Sequence, residues 1–414
     1  MSELVVELYG STLGRLTGQG RAVDFVADPG ALDEFGLDSL VLSVALPLAA
    51  VPRRAERARR QNFFRELLPE GRMLARLAQQ AGVPQHDIVG LLRAYGRDVA
   101  GALQIWDPEA PGEPRTPALE PLSEAGVAML LAHVTSYPLA NKPGQGKTSL
   151  AGVQDKIVLT RTADGWARAL DGFPSTHILK PVSGDYPTSI GDEEYGARLA
   201  RALGLASFAT EIREFDGVLA LVVERYDREA SIDGPVQRIH QEDFNQALGL
   251  QGDEKYQRYG GKASLARVAR VLTSLGDRDA LRRLARLTVL GVAVGNLDMH
   301  TKNLALVHRR HGGIELAPAY DLVPQAHLPN DGELALAVDG VYRHGAVTRA
   351  HLAAEVGSWG LRDADGLVGD TLGEVLDVVR REVPHPSAHP GLVEDVTRFT
   401  ENLAAGAEAG AGAR

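Results

Sequence analysis

The residues best suited to chemistry in this chain lie between Asn296 and Asp321. The run Asn296-Leu-Asp298-Met-His300-Thr-Lys302-Asn303 follows a long apolar segment. It precedes a hairpin pattern, Leu304 to Val307, His311-Gly312-Gly313 and Ile314 to Leu316, that leads into Ala319-Tyr320-Asp321-Leu322. Phosphoryl transfer to a hydroxyl needs a carboxylate beside the attacking oxygen, and an amide plus a second carboxylate to hold magnesium. Protein kinases separate the Asp and Asn of their catalytic loop by four residues. Asp298 and Asn303 have that spacing, and Asp321 stands just past the hairpin, where the second carboxylate belongs. The pair alone carries little weight, because Asp and Asn crowd loops for turn reasons. Specificity comes from the series helix, loop, hairpin and second Asp, set against the alternative of a solvated Asx-turn loop. His300 as a metal ligand is disfavoured, since the chain has no cysteine and no second histidine at ligand spacing. It is read as orienting the loop, with Lys302 screening phosphate charge or contacting a nucleotide.

A second group is Lys180, at the end of a short strand pattern, followed by a helix pattern bearing Glu193 and Glu194. Kinases hold ATP phosphates with a strand lysine steadied by a helix glutamate. The pattern does not decide between the two glutamates, and a lysine ending a strand is commonly a surface residue. A third group is Gly144-Gln-Gly146-Lys147-Thr148-Ser149-Leu-Ala-Gly152-Val-Gln154-Asp155-Lys156. It is not a P-loop: the first glycine of that motif would fall at Asn141, and no strand precedes it. A glycine-containing segment before a strand can instead cover phosphates with backbone N–H groups.

The elements that must position these residues follow from patterning. Residues 1–107 open with short alternating segments punctuated by glycine, a small sheet, followed by helical periodicity at Arg54 to Leu67 and Arg72 to Gln80. The stretch 108–148, with Pro108, Pro111, Pro114, Pro117 and Pro121, reads as a linker and flexible loop. Over 149–240, strands at Ile157 to Leu159, Trp166 to Leu170 and His177 to Leu179 precede a helix at Asp192 to Leu203 and strands flanking the Asp216-Gly217 turn. Residues 241–403 are mostly helical, notably Ala280 to Val294, and 404–414 read as a disordered low-complexity tail. The expected fold class is therefore α+β: a two-lobed, protein-kinase-like plan with a small mixed sheet N-terminally and a largely helical C-terminal lobe.

Composition narrows the function classes. With 44 basic against 54 acidic residues, the net charge is −10, which disfavours broad polyanion binding. One local exception is the cluster Arg53, Arg54, Arg57, Arg59 and Arg60, read as a solvated helix face. The absence of cysteine removes disulfides and thiolate metal sites. No secretory leader pattern is present, and no apolar run approaches the roughly 18 residues of a membrane span, so a cytoplasmic protein is expected.

The catalytic-loop pattern also occurs in small-molecule and phosphoinositide kinases, so by itself it does not name the phosphate acceptor. Ser149-Leu-Ala-Gly-Val-Gln-Asp-Lys156 resembles the S-[IL]-[AS]-G-[AV]-Q-[ED]-K signature of the HipA kinase toxins, and Asn296 to Asn303 is similar to their N-x-D-x-H-x-K-N. Leu67-Leu-Pro-Glu-Gly71, Gly101-Ala-Leu-Gln-Ile105, Val222 to Arg228, His240 to Phe244 and Lys255-Tyr256 also resemble family motifs, in order along the chain to about residue 357. Arg381 to Arg414 has no clear counterpart in that family.

The resemblance implies a phosphoinositide-kinase-like fold and a protein serine/threonine kinase using ATP and Mg2+. Asp298 would be its catalytic base, and Asn303 and Asp321 its metal ligands. Ala151, Gly152, Val153, Gln154, Asp155 and Lys156 would cover the phosphates and Lys180 would contact them. Glu224, Arg225 and Tyr226 would form the hinge beside adenine, with His300, Lys302 and Tyr320 also at the nucleotide. Ser149 would be autophosphorylated, ejecting the loop. The implied partners are a HipB-like helix-turn-helix antitoxin, operator DNA through that complex only, and a protein substrate such as an aminoacyl-tRNA synthetase. Two other readings stay open: a small-molecule phosphotransferase of aminoglycoside-kinase type, and a kinase-fold corepressor acting with an antitoxin.

Overall fold

The computed structural model describes residues 2–412 except 114, 142–147, 153, 230–235 and 311–312. The chain divides into two units: one takes in residues up to Pro181, Arg213–Gly252 and Val307–Gly313, the other Val182–Ile212, Asp253–Leu306 and the chain from Ile314.

The first unit begins with β1 (Ser2–Leu8), β2 (Ser11–Gln19), β3 (Ala22–Ala27) and β4 (Leu103–Trp106), joined in the order β3-β2-β1-β4 with every pairing antiparallel. Leu4, Val6 and Leu8 of β1 enter one apolar core, as the period-two side-chain alternation of a strand requires. That core is completed from α1 (Pro29–Phe35), α2 (Arg57–Arg65), α3 (Gly71–Ala81) and α4 (Ile88–Tyr95), through residues such as Ala31, Phe63, Leu77 and Leu91.

A six-stranded sheet follows, built from β5 (Ala118–Leu122), β6 (Ile157–Thr162), β7 (Gly165–Leu170), β8 (His177–Pro181), β9 (Thr210–Phe215) and β10 (Val218–Glu224) in the order β5-β7-β6-β8-β10-β9. The turn between β9 and β10 has Asp216 at φ 44° and Gly217 at φ 83°. Positive φ at both central residues is what a type I′ hairpin turn demands, and Asp-Gly is its usual occupant. Two helices complete the unit, α5 (Glu124–Ala132) and α7 (Phe244–Leu248), the latter closed by an Asp243/Gln246 capping box.

The second unit is mostly helical: α6 (Ser189–Ala202), α8 (Leu265–Ser274), α9 (Arg278–Ala293), α10 (Arg349–Ser358), α11 (Ala364–Val379) and α12 (Leu392–Ala404). Helix α9 packs against α8, α11 and α12. Its last two turns, Leu287 to Ala293, are buried all round, as expected of a central helix. Among the described residues no helix is long and apolar enough to cross a membrane.

The structure corrects several expectations. Residues 108–148, read as a linker, contain β5 and α5. Val127, Leu130 and Leu131 of α5 are buried in the core behind the six-stranded sheet. The prolines misled because β5 is an edge strand, where a residue without an N–H, Pro121, is tolerated. The residues 142–147 of the expected flexible loop lie outside the described ones. The tail read as disordered is packed as far as residue 412: Ala409 is fully buried and its N–H donates to Val347 O, Gly410 N–H donates to Gly345 O, and Asn402 Nδ2 donates to Ala409 O and Ala411 O. Its small residues serve close backbone approach, since a Cβ at Gly410 would sit 2.9 Å from Gly345 Cα. Finally, α6 belongs to the helical unit, not with the strands around it in sequence.

Candidate active site

Helix α9 delivers the chain to the catalytic-loop motif and stops at Gly295, whose φ of +71° and contact with Ala326 (a Cβ would lie 2.7 Å from Ala326 Cβ) admit only glycine. Gln325 and Ala326 donate their N–H groups to Gly295 O. Asn296 accepts Asp298 N–H through its side-chain oxygen (3.1 Å), so this asparagine is the Asx-turn residue of the loop. Next, His300 N–H returns to Asp298 O at 2.8 Å and Asn303 N–H to His300 O at 2.9 Å. Asn303 Nδ2 also donates to Asp298 O (2.9 Å). That bond fixes the amide's orientation, so Oδ1 is its other face, a hard oxygen of the kind magnesium takes.

The Asp298 side chain is 43% exposed and sits beside two ring systems: Tyr256 Oη donates to its Oδ1 at 3.2 Å, and His300 Nε2 lies 3.9 Å from its Oδ2. Burial pushes the His300 pKa down to about 3, helped by the Lys255 and Lys302 cations and opposed by Asp321. The imidazole is therefore neutral at physiological pH and orients the loop without adding charge. Asp321 itself adopts φ 54°, a left-handed conformation uncommon outside glycine and found at functional turns. The preceding Tyr320 donates its hydroxyl to Lys302 O (2.8 Å), so this hydroxyl braces the loop from outside. Tyr256 is the neighbour that spacing did not reveal: it lies 42 positions before Asp298, and only the Lys255-Tyr256 motif flagged it, without a role.

The other candidates lie in the first unit. Lys180 is buried on β8, opposite Leu221 of β10. Ser149 is fully buried. Its N–H donates to Asp98 O and its hydroxyl to Leu67 O (both 2.9 Å). Glu70 N–H reaches Gly152 O (3.2 Å), and Lys156 Nζ donates to Ala151 O (2.6 Å). Gly152 has φ +114°, and a Cβ there would stand 2.7 Å from Lys156 Nζ. The segment from Ser149 is thus folded back on itself and clasped by Leu67 to Glu70. Asp155 is 3.9 Å from Arg72, Gln154 is half-buried, and Val153 lies outside the described residues.

At the expected hinge, the Arg225 side chain is committed to an ion-pair network. Its guanidinium is fully buried and donates to both Asp227 carboxylate oxygens, to Ser175 Oγ and to Val99 O. Arg228 donates to Asp98 Oδ1 (2.9 Å), and Gly101 N–H to Asp227 Oδ2 (2.7 Å). Burial raises the carboxyl pKa values, but Arg225 and Arg228 outweigh it and hold both Asp98 and Asp227 below the ordinary range. Arg225 is therefore a structural ion-pair residue. Glu224 is exposed at the end of β10, and Tyr226 hydrogen-bonds Gln241 Oε1. On α6, Glu194 is gripped at both oxygens by Arg198 (2.5 and 3.2 Å); Glu193 is buried beside it.

The chain is also similar to known proteins. A model of the HipA-like C-terminal domain matches residues 148–382, and one of the HipA N-terminal domain matches residues 4–106. The chain is 37% identical over 295 residues to protein Y4mE of Sinorhizobium fredii, covering 69% of this chain and 70% of that one. It is 30% identical over 356 residues to the serine/threonine-protein kinase toxin HipA of Shewanella oneidensis, covering 81% and 79%. A chain in the solved complex of the Shewanella oneidensis toxin–antitoxin system HipA, HipB and its operator DNA superposes with a TM-score of 0.78 at 25% identity, over 97% of this chain and 96% of that one.

Proposed function

Because the chain belongs to the HipA family, we propose that it is an ATP- and magnesium-dependent protein serine/threonine kinase that also phosphorylates its own Ser149. The observation that carries this reading is the loop Asp298–Asn303: one carboxylate exposed to solvent and one amide held so that its oxygen faces away from the loop's own bond, followed by Asp321 in a left-handed conformation.

Asn303 and Asp321 offer two hard oxygens that suit Mg2+, which would neutralise charge on the transferred phosphate. Asp298 holds the acceptor hydroxyl and takes its proton as the new oxygen–phosphorus bond forms and the bond to the departing ADP breaks. His300, kept neutral, and Tyr320 hold the loop in place while this happens. Lys180 is the phosphate-contacting lysine. Of the two α6 glutamates offered for the steadying role, Glu194 is held at both oxygens by Arg198. The segment Ala151 to Lys156 covers the phosphates with backbone N–H groups, and the hinge role rests on Glu224 and the backbone around Tyr226. Ser149 is buried as described, so its phosphorylation requires release from Leu67; a phosphate, with about two negative charges, could not return to that position. A HipB-like antitoxin is the partner this reading calls for, supported by the match to a chain of the HipA–HipB–operator complex, and operator DNA would be reached through it.

Calorimetric titration with ATP tests the site. Tight binding should require magnesium in the wild type, and Asp321→Asn should weaken it by about tenfold, equivalent to roughly 1.4 kcal/mol. Binding indifferent to both magnesium and Asp321 would overturn the assignment.

A further inference from the structure

We propose that Tyr256 is a positioning residue for phosphoryl transfer, its hydroxyl setting the orientation of the Asp298 carboxylate. The inference rests on the reading of Asp298 as the group that takes the acceptor's proton. Tyr256 Oη donates to Asp298 Oδ1 at 3.2 Å, while its ring meets His300 edge-on (5.3 Å between centroids, 72° between planes). The Lys255 ammonium lies 5.3 Å from the centre of the Tyr256 ring, and Thr301 Oγ1, inside the catalytic loop, donates to Lys255 O (3.3 Å).

The contact is built into the scaffold. Ala335, in the strand Glu333–Val338, donates its N–H to Leu297 O (2.8 Å) and accepts Gln257 N–H at its carbonyl (3.0 Å). The residue before Asp298 and the residue after Tyr256 are thus registered on a single strand residue. Gln257 Oε1 adds a further bond to Ala337 N–H (3.0 Å). Two segments far apart in sequence are held so that one hydroxyl meets one carboxylate oxygen.

A half-exposed aspartate on a loop otherwise samples several side-chain rotamers, and misplacement by about 1 Å costs on the order of 100-fold in rate. A neutral donor also lowers the carboxylate's basicity. That loss is minor, because the loose transition state of phosphoryl transfer depends more on alignment than on base strength.

Tyr256→Phe keeps the ring, its contact with His300 and its place beside Lys255, and removes only the hydroxyl. The measurement is the rate of phosphate gain by intact mass across a range of MgATP concentrations, for wild type, Tyr256→Phe, Asp298→Asn and the double variant. The rate at saturating MgATP should fall about 10- to 100-fold in Tyr256→Phe, the range of a hydrogen bond to a charged group. The half-saturating MgATP concentration should stay within about twofold, because only a step after binding is touched. On the Asp298→Asn background the second change should add nothing. An active wild type matched by an equally active Tyr256→Phe would overturn the role of Tyr256 alone, as would a rate loss mirrored by weaker MgATP binding. A wild type that gains no phosphate would overturn the kinase reading and this inference with it.

Discussion

At the scale of single residues, chemistry and structure separate cleanly at Arg225. Its place in the Val222 to Arg228 motif suggests a nucleotide role, but its guanidinium is spent on Asp227, Ser175 and Val99. Arg225→Ala should therefore destabilise the fold by about 3–5 kcal/mol, since it strands buried carboxylates without their counter-charge. ATP affinity of the folded variant should be unchanged. A denaturant titration and an ATP titration on the same sample decide this; weakened binding at unchanged stability would restore the nucleotide role. The loop Asn296–Asn303 could be singled out in sequence because phosphoryl transfer would fix the types and spacing of its residues within one short segment. The Tyr256–Asp298 contact could not, because it joins segments that share no sequence pattern. Glu193 and Glu194 could not be told apart in sequence either, because adjacent helix positions differ only in which neighbours they meet; Arg198, four residues on, holds Glu194.

At the scale of elements, periodicity and turn chemistry were informative where local forces dominate. The Asp216-Gly217 turn and the apolar helix α9 formed close to the expected bounds, since each is dictated by a few adjacent residues. Proline and glycine content misled in two places for the same reason. Pro121 sits on an edge strand, and the glycines and alanines after Ala404 pack backbone against backbone at Gly345 and Val347. In both, tertiary contacts supply what composition alone would deny. The clasp between Ser149 and Leu67 was likewise invisible in sequence, although both ends lie in motifs that resemble the same family.

At the scale of the whole molecule, the kinase-like α+β plan expected from sequence agrees with the structural match over 97% of the chain. The boundary drawn at residue 148 does not mark separate cores, because Leu139, Leu150 and Val158 pack with Leu4, Phe64 and Ile105. Two buried histidines away from the catalytic loop make stability depend on pH. Burial pushes His240 down to about 3, with His308 adding to the effect, and burial lowers His344 as well. As pH falls below the ordinary histidine value of about 6.5, the unfolded chain takes up protons that the folded chain refuses, so stability is full above that value and declines below it. Asp98 and Asp227, with depressed folded-state pKa values, add their loss only below about pH 4. Urea midpoints between pH 7.5 and pH 5, a span that reflects the histidine window, should fall in the wild type. In His240→Gln they should fall less steeply, the unfolding free energy differing in slope by up to about 1.4 kcal/mol per pH unit; parallel slopes would contradict this account of His240. The most direct test of the molecule's function is intact-mass and peptide mass spectrometry of phosphatase-treated protein after incubation with MgATP, comparing wild type with Asp298→Asn. A gain of phosphate mapped to Ser149 in the wild type and absent from the variant is the expected result. No phosphate gained by a wild type that binds MgATP would contradict it.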